Sequence, residues 1–176
     1  MVTFEKIKND KKSSGGNSFG FRGVHEQPKA ATLSNITSET AEREATGIGE
    51  LDRVLGGGIV KGSLVLCGGE PGIGKSTLLL QLADYTSKSD KVLYVSGEES
   101  DKQIKLRADR VCNSIPDSLF VLAETNMENV ETACENIKPA FLIIDSIQTL
   151  YSSQLDSAPG SVSQVRMCGN QLMKLG

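Results

Sequence analysis

Gly69-Glu70-Pro71-Gly72-Ile73-Gly74-Lys75-Ser76-Thr77 is the stretch on which the reading of this chain turns. It fits the phosphate-loop pattern GxxxxGK[ST], and it stands where that pattern has to stand, between a short apolar run and a helical one. Each residue type has a physical reason. The glycines let the backbone curl until successive N–H groups point inward at phosphate oxygens. The helix that opens at Lys75 turns its positive dipole end toward the same anion. Lys75 brings a point charge to the β- and γ-phosphates and is counted with the catalytic groups for that reason. The Ser76 hydroxyl suits Mg2+, and Thr77 suits the α-phosphate. Residues 69–77 are therefore read as the nucleotide site, with ATP and Mg2+ as its ligands.

Outward from the loop, strands and helices alternate. Residues 63–67 (SLVLC) read as the strand that delivers the chain to the loop. Residues 75–87 read as a helix burying Leu78, Leu79, Leu82 and Tyr85. Residues 91–96 form the next strand. Ser100 and Gln103 have capping-box spacing for a helix through about Val111, with Ile104, Ala108 and Val111 as its apolar stripe. Residues 119–123 are a further strand, and Thr125 with Glu128 repeats the capping-box spacing before a helix with Met127, Val130, Cys134 and Ile137 on one face. Residues 140–145 (AFLIID) are dense enough in apolar side chains for a strand buried on both faces. A loop leads to a last helical stretch, 164–175. Before the phosphate loop, Ile48, Leu51, Val54 and Leu55 fall at helical spacing, and Gly56-Gly57-Gly58 ends that run. Such alternation predicts an α/β fold: a mostly parallel sheet with helices on both faces.

Two carboxylate positions belong to this frame. Asp145 closes the strand AFLIID, where a carboxylate is aimed at the metal of a bound nucleotide. With Ser76 it makes the expected Mg2+ set. Glu98 and Glu99 follow the strand 91–96, where a carboxylate can orient and deprotonate an attacking water. The residues alone do not separate the two.

The bulk numbers fit one domain and an appendage. The 176 residues are 38% hydrophobic and 23% charged, with a net charge of −3, which excludes a wholly basic nucleic-acid-binding chain. No apolar run approaches the ~20 residues of a membrane span, and MVTFEKIKNDKK lacks the apolar stretch of a signal peptide; a cytoplasmic location is expected. Cys67, Cys112, Cys134 and Cys168 form no CxxC pair and read as small hydrophobes. The one histidine, His25, cannot build a multi-histidine metal site. Residues 1–45 are polar, with Leu33 and Ile36 as isolated apolar points, and are expected to be an extended or disordered linker ahead of a domain over 46–176.

The strings TGIGELDRVLGGGIVKGSLVL, GEPGIGKSTLLLQ, YVSGEES, LIIDSIQT and SAPGSVSQVR together resemble the bacterial RadA/Sms family of RecA-type P-loop ATPases, over about residues 46–176. The resemblance implies a RecA-like core and an ATP hydrolase that is DNA-dependent, acts in DNA repair and recombination, binds single-stranded or branched DNA and drives branch migration. It implies a hexameric ring and a RecA recombinase as companion. SGEES lines up with the strand-end glutamate of that superfamily, which favours Glu98 as the base. Residues 151–166 correspond to its first DNA-facing loop, expected to be mobile, with Ser161, Ser163 and Arg166 as candidate DNA contacts. The family also carries a four-cysteine zinc finger, whose ligands are absent here, and continues with further sheet strands, a KNRFG motif and a Lon-protease-like domain. The chain is thus expected to be an internal, C-terminally truncated piece with an exposed sheet edge. Lys102, Lys105, Arg107 and Arg110 form a basic run suited to DNA, to a neighbouring subunit or simply to solvent. The alternatives are a small-molecule P-loop kinase, a KaiC-like or helicase-like RecA relative, and a catalytically inert DNA-binding adaptor.

Overall fold

The computed structural model describes Thr32, residues 42–112 and residues 114–175. His25, Leu33, Ile36 and most of the expected linker lie outside the described residues.

The chain enters through β1 (Arg43–Glu44), which pairs antiparallel with β2 (Ile59–Val60) around the short helix α1 (Gly49–Val54). This ladder joins residues 43–44, read above as linker, to the chain beyond Thr46. After the phosphate loop come α2 (Lys75–Thr86), β3 (Val92–Ser96), α3 (Asp101–Val111), β4 (Leu119–Ala123), α4 (Met127–Ile137), β5 (Phe141–Asp145) and α5 (Val162–Leu172). Strands β3, β4 and β5 make a parallel sheet of order β4-β3-β5. A parallel sheet has to be covered on both faces, and the alternation along β3 does this residue by residue. Val92 and Tyr94 face Leu80, Leu82 and Ala83 of α2, Ile104 and Ala108 of α3, and Ile143 of β5. Leu93 and Val95 face Met127 and Val130 of α4 and Cys168 and Leu172 of α5. Each large side chain so buried contributes about 1.5–3 kcal/mol, so the central strand, buried along its whole length, anchors the sheet.

Several expectations are corrected. Residues 63–67 form no strand, and Leu64, Val65 and Leu66 are exposed, Leu66 to 83%. Apolar composition favours a strand only where a neighbour completes the ladder, and none is paired to them among the described residues. Cys67 is accordingly exposed, whereas burial pushes the thiols of Cys112, Cys134 and Cys168 up from their ordinary range, in keeping with inert packing. β5 is an edge strand, so only Ile143 of its residues is buried, not both faces throughout. In α2 the buried set is Leu80, Leu82, Ala83, Asp84 and Thr86, because both the sheet and α3 cover the helix. Tyr85 is exposed on one side and lies on Gly47, where a side chain would collide with its ring. The cap of α4 is Asn126, whose side chain accepts from the Asn129 N–H, and not a Thr125–Glu128 box. Helix α5 begins at Val162, capped by Ser161. The Ser100–Gln103 capping box is present in both halves.

Candidate nucleotide site

Among the four helices of eleven or more residues the capping pattern marks one start as different; the short α1 also begins without a side-chain cap, on Ile48 in extended conformation. α3, α4 and α5 each begin on a side chain that accepts a first-turn N–H, from Ser100, Asn126 and Ser161. α2, the longest helix among the described residues, begins on Gly74, which has no side chain to cap it and adopts the left-handed conformation at φ 100°. Its first N–H groups are orphan donors. Gly72 is also at positive φ, 79°. A Cβ built at either glycine meets nothing within 4 Å, so the backbone twist, and not lack of space, requires glycine at both. An uncapped N-terminus behind two left-handed turns, opening into free space, fits a polyphosphate. The Lys75 Nζ donates to the carbonyls of Gly69 and Glu70, each at 2.8 Å, so its ammonium is held against the loop it would share with the anion.

Strand register decides which carboxylates gather at the ends of β3 and β5. Ser96 pairs with Asp145 across β3 and β5, and Tyr94 pairs with Ile143. Side chains alternate in pleat, so Asp145 shares the face of Ile143 and Tyr94, which is the face packed on α2. Tyr94 Oη donates to Asp145 Oδ2 at 2.7 Å. Burial, and then the hydrogen bond to Asp145, push the Tyr94 hydroxyl well above the ordinary tyrosine range, so it stays a donor. Beyond the strand ends, Ser146 Oγ donates to Glu98 Oε1 at 2.9 Å, while Glu99 is engaged by the Arg107 guanidinium in a half-buried ion pair. Gly97 permits the close approach of the turn after β5: a Cβ there would collide with the Thr149 side chain.

Gly69, Gly72, Gly74, Lys75, Ser76, Thr77, Glu98, Asp145, Ser146 and Arg166 all border one open cleft of about 2260 Å³ that runs around the edge of β5, with α2 on one side and α4 and α5 on the other. That exceeds the ~300–1,000 Å³ of an ordinary ligand pocket, because residues 61–69 and the free edge of β5 both border it without pairing. A family model described as an AAA domain matches residues 30–175. The chain belongs to the AAA domain family. Within that family its likeness is to RadA. It is 56% identical to the DNA repair protein RadA of Bacillus subtilis (strain 168) over 148 residues, 84% of this chain and 32% of that protein. It is 56% identical to the RadA of Listeria monocytogenes over 156 residues, 88% of this chain and 34% of that one. The RadA of Streptococcus pyogenes serotype M1 is 47% identical over 174 residues, 99% of this chain and 36% of the relative. The chain thus spans about a third of the length of these relatives.

The remaining candidates of this AAA domain sort by what they touch. Ser161 caps α5 and, with Ser157 and Ser163, forms a cluster of hydroxyls within 3.1–3.3 Å of one another. Arg166 is exposed on the cleft side of α5. The stem of the loop 151–161 is tied down: Gln164, 1% exposed, accepts from the Ser152 N–H and donates to the carbonyls of Ser152, Leu155 and Ser157. Glu128 Oε1 accepts from Ser152 Oγ and the Ser153 N–H. In the basic run, Arg107 pairs with Glu99, Lys105 with Asp109, and Arg110 Nε donates to Leu106 O. No helix among the described residues is long and apolar enough to cross a membrane. Tyr94 and Ser146 were not among the sequence candidates. Their signal is period-2 alternation across β3 and β5, which is readable only once those strands are known to be neighbours.

Proposed function

We propose that this chain is the nucleotide-binding part of an ATP-driven DNA repair protein, in which residues 69–77 hold the triphosphate and Glu98 assists its hydrolysis. The uncapped start of α2, sharing one cleft with Asp145 and Glu98, is the observation that carries the reading. Orphan amides of the loop and of the first turn of α2 bind the phosphate oxygens. The Lys75 ammonium leaves the carbonyls of Gly69 and Glu70 for the β- and γ-phosphates. Ser76 and Asp145 would hold Mg2+, which when bound offsets charge on the phosphate oxygens. Glu98, held by Ser146 Oγ, orients a water toward the γ-phosphorus and takes its proton. The new P–O bond forms as the bond to the β-phosphate oxygen breaks, giving ADP and inorganic phosphate. Glu99 is left to its pair with Arg107.

The relatives are DNA repair proteins by name, which supports a partner that is DNA. Single-stranded or branched DNA, a cytoplasmic setting, a ring of subunits, a RecA companion and branch migration are parts of the same proposal. Arg166, with Ser161 and Ser163, is its DNA-contact set, and phosphate contacts of this kind give binding that is sequence-tolerant and falls with salt. A titration with a fluorescent ADP analogue and Mg2+ tests the nucleotide reading. The expected result is saturable binding, lost by at least about tenfold in Lys75→Ala, which removes the ammonium held against the loop. Equal binding by the two proteins overturns it. ATP turnover that ignores single-stranded DNA but requires a small phosphate acceptor would move the reading to a kinase.

A further inference from the structure

We infer that Tyr94 is a positioning residue for the metal-binding carboxylate: its hydroxyl occupies Asp145 Oδ2 and thereby presents Oδ1 to the cation. The inference rests on the nucleotide-site reading above. Tyr94 is 1% exposed, in the middle of the central strand, with its ring packed among Leu80, Leu82, Ile104 and Ile143. Phenylalanine would fill that volume without a hydroxyl to satisfy, and a buried hydroxyl costs about 1–3 kcal/mol unless bonded. The bond it makes is to a carboxylate one step along the neighbouring strand: Tyr94 lies opposite Ile143, and Asp145 lies two residues further on the same face. A diagonal neighbour of that kind is within reach of a long aromatic side chain. The side chain therefore reaches across to the last residue of β5. Asp145 sits on a strand that is paired on one side only among the described residues, and it lines the open cleft, so no ladder on the far side of β5 steadies it. Tyr94 supplies that hold from the buried side. Outer-shell partners of metal-binding carboxylates fix their orientation and are worth about 10–100-fold in metal affinity.

The test is a Mg2+ titration of fluorescent ADP binding by this chain, read as the Mg2+ concentration at half-saturation, together with nucleotide affinity in EDTA and thermal melting. Tyr94→Phe keeps the ring and should raise the Mg2+ midpoint about tenfold, leaving the EDTA affinity and the melting curve close to those of the parent. Asp145→Asn should raise the midpoint further. Tyr94→Phe added to Asp145→Asn should change nothing more, because the hydroxyl acts through the carboxylate; a general packing defect would add. An unchanged midpoint in Tyr94→Phe, or additivity in the double variant, overturns the inference while leaving the nucleotide site intact. Absence of Mg2+-dependent nucleotide binding in the parent overturns the reading beneath it, and the inference falls with it.

Discussion

At the scale of single residues, the two adjacent glutamates after β3 differ by what already holds them. Glu99 shares a half-buried ion pair with Arg107, whereas Glu98 is exposed and takes one hydroxyl bond from Ser146. A base has to be free to accept a proton, and a carboxylate committed to a guanidinium is poorly placed to do so. Glu98→Gln should therefore lower ATP turnover by about 10²–10³-fold with little change in nucleotide affinity. Glu99→Gln should leave turnover within a few-fold, its cost being stability of about 1 kcal/mol or less, as for a partly exposed pair. Steady-state hydrolysis beside nucleotide titration separates the two. If Glu99→Gln proves the deeper loss, the assignment of the base is reversed.

Among the elements, the loop between β5 and α5 shows how one buried amide can organise a segment of polar composition. Gln164 meets four backbone groups of this loop, one N–H and three carbonyls, more than any other side chain among the described residues. Gln164→Glu keeps the acceptor for Ser152 but sets a carboxylate against the three carbonyls. It should destabilise by about 3 kcal/mol or more through unpaired buried groups, read as a lower denaturant midpoint. A shift under about 0.5 kcal/mol would mean that the loop does not depend on this residue. The loop was expected to be mobile because Ser, Gly and Pro say nothing about a partner twelve residues away. The same contrast runs through the helix starts. Ser100 with Gln103 was legible because both halves of a capping box are local. Thr125 with Glu128 had the same spacing, yet Glu128 is drawn to Ser152, and Glu124 accepts from the Thr125 and Asn126 N–H groups and from Asn129. Those bonds, the Asn126 N–H first, hold the Glu124 carboxyl below its ordinary range. The phosphate loop could be read outright because motif and flanks are contiguous. The bond from Tyr94 to Asp145 could not, since it depends on which strands are neighbours.

For the molecule as a whole, the question is how stability is distributed between the sheet and the segment that leads into the phosphate loop. β3 is paired on both sides and buried at every residue, with α2 and α3 over one face and α4 and α5 over the other. Its amides can exchange only when the sheet opens. Residues 63–67 have strand-like composition but are exposed and lie outside the ladder, so their amides face no such barrier. A domain with several kcal/mol of stability, at about 1.4 kcal/mol per decade, should then protect β3 at least ~10³-fold more than residues 63–67 in native-state hydrogen exchange. β5, paired on one side only, should fall between them. Saturating Mg2+ and nucleotide should slow exchange at residues 69–77 and in the first turn of α2, where orphan amides would gain phosphate partners, and leave β3 little changed, since its bonds are already complete. The alternative arrangement, with residues 63–67 laid against the free edge of β5, would protect both stretches together and to a similar degree. Equal protection of residues 63–67 and β3 in the nucleotide-free chain would therefore establish a fourth strand.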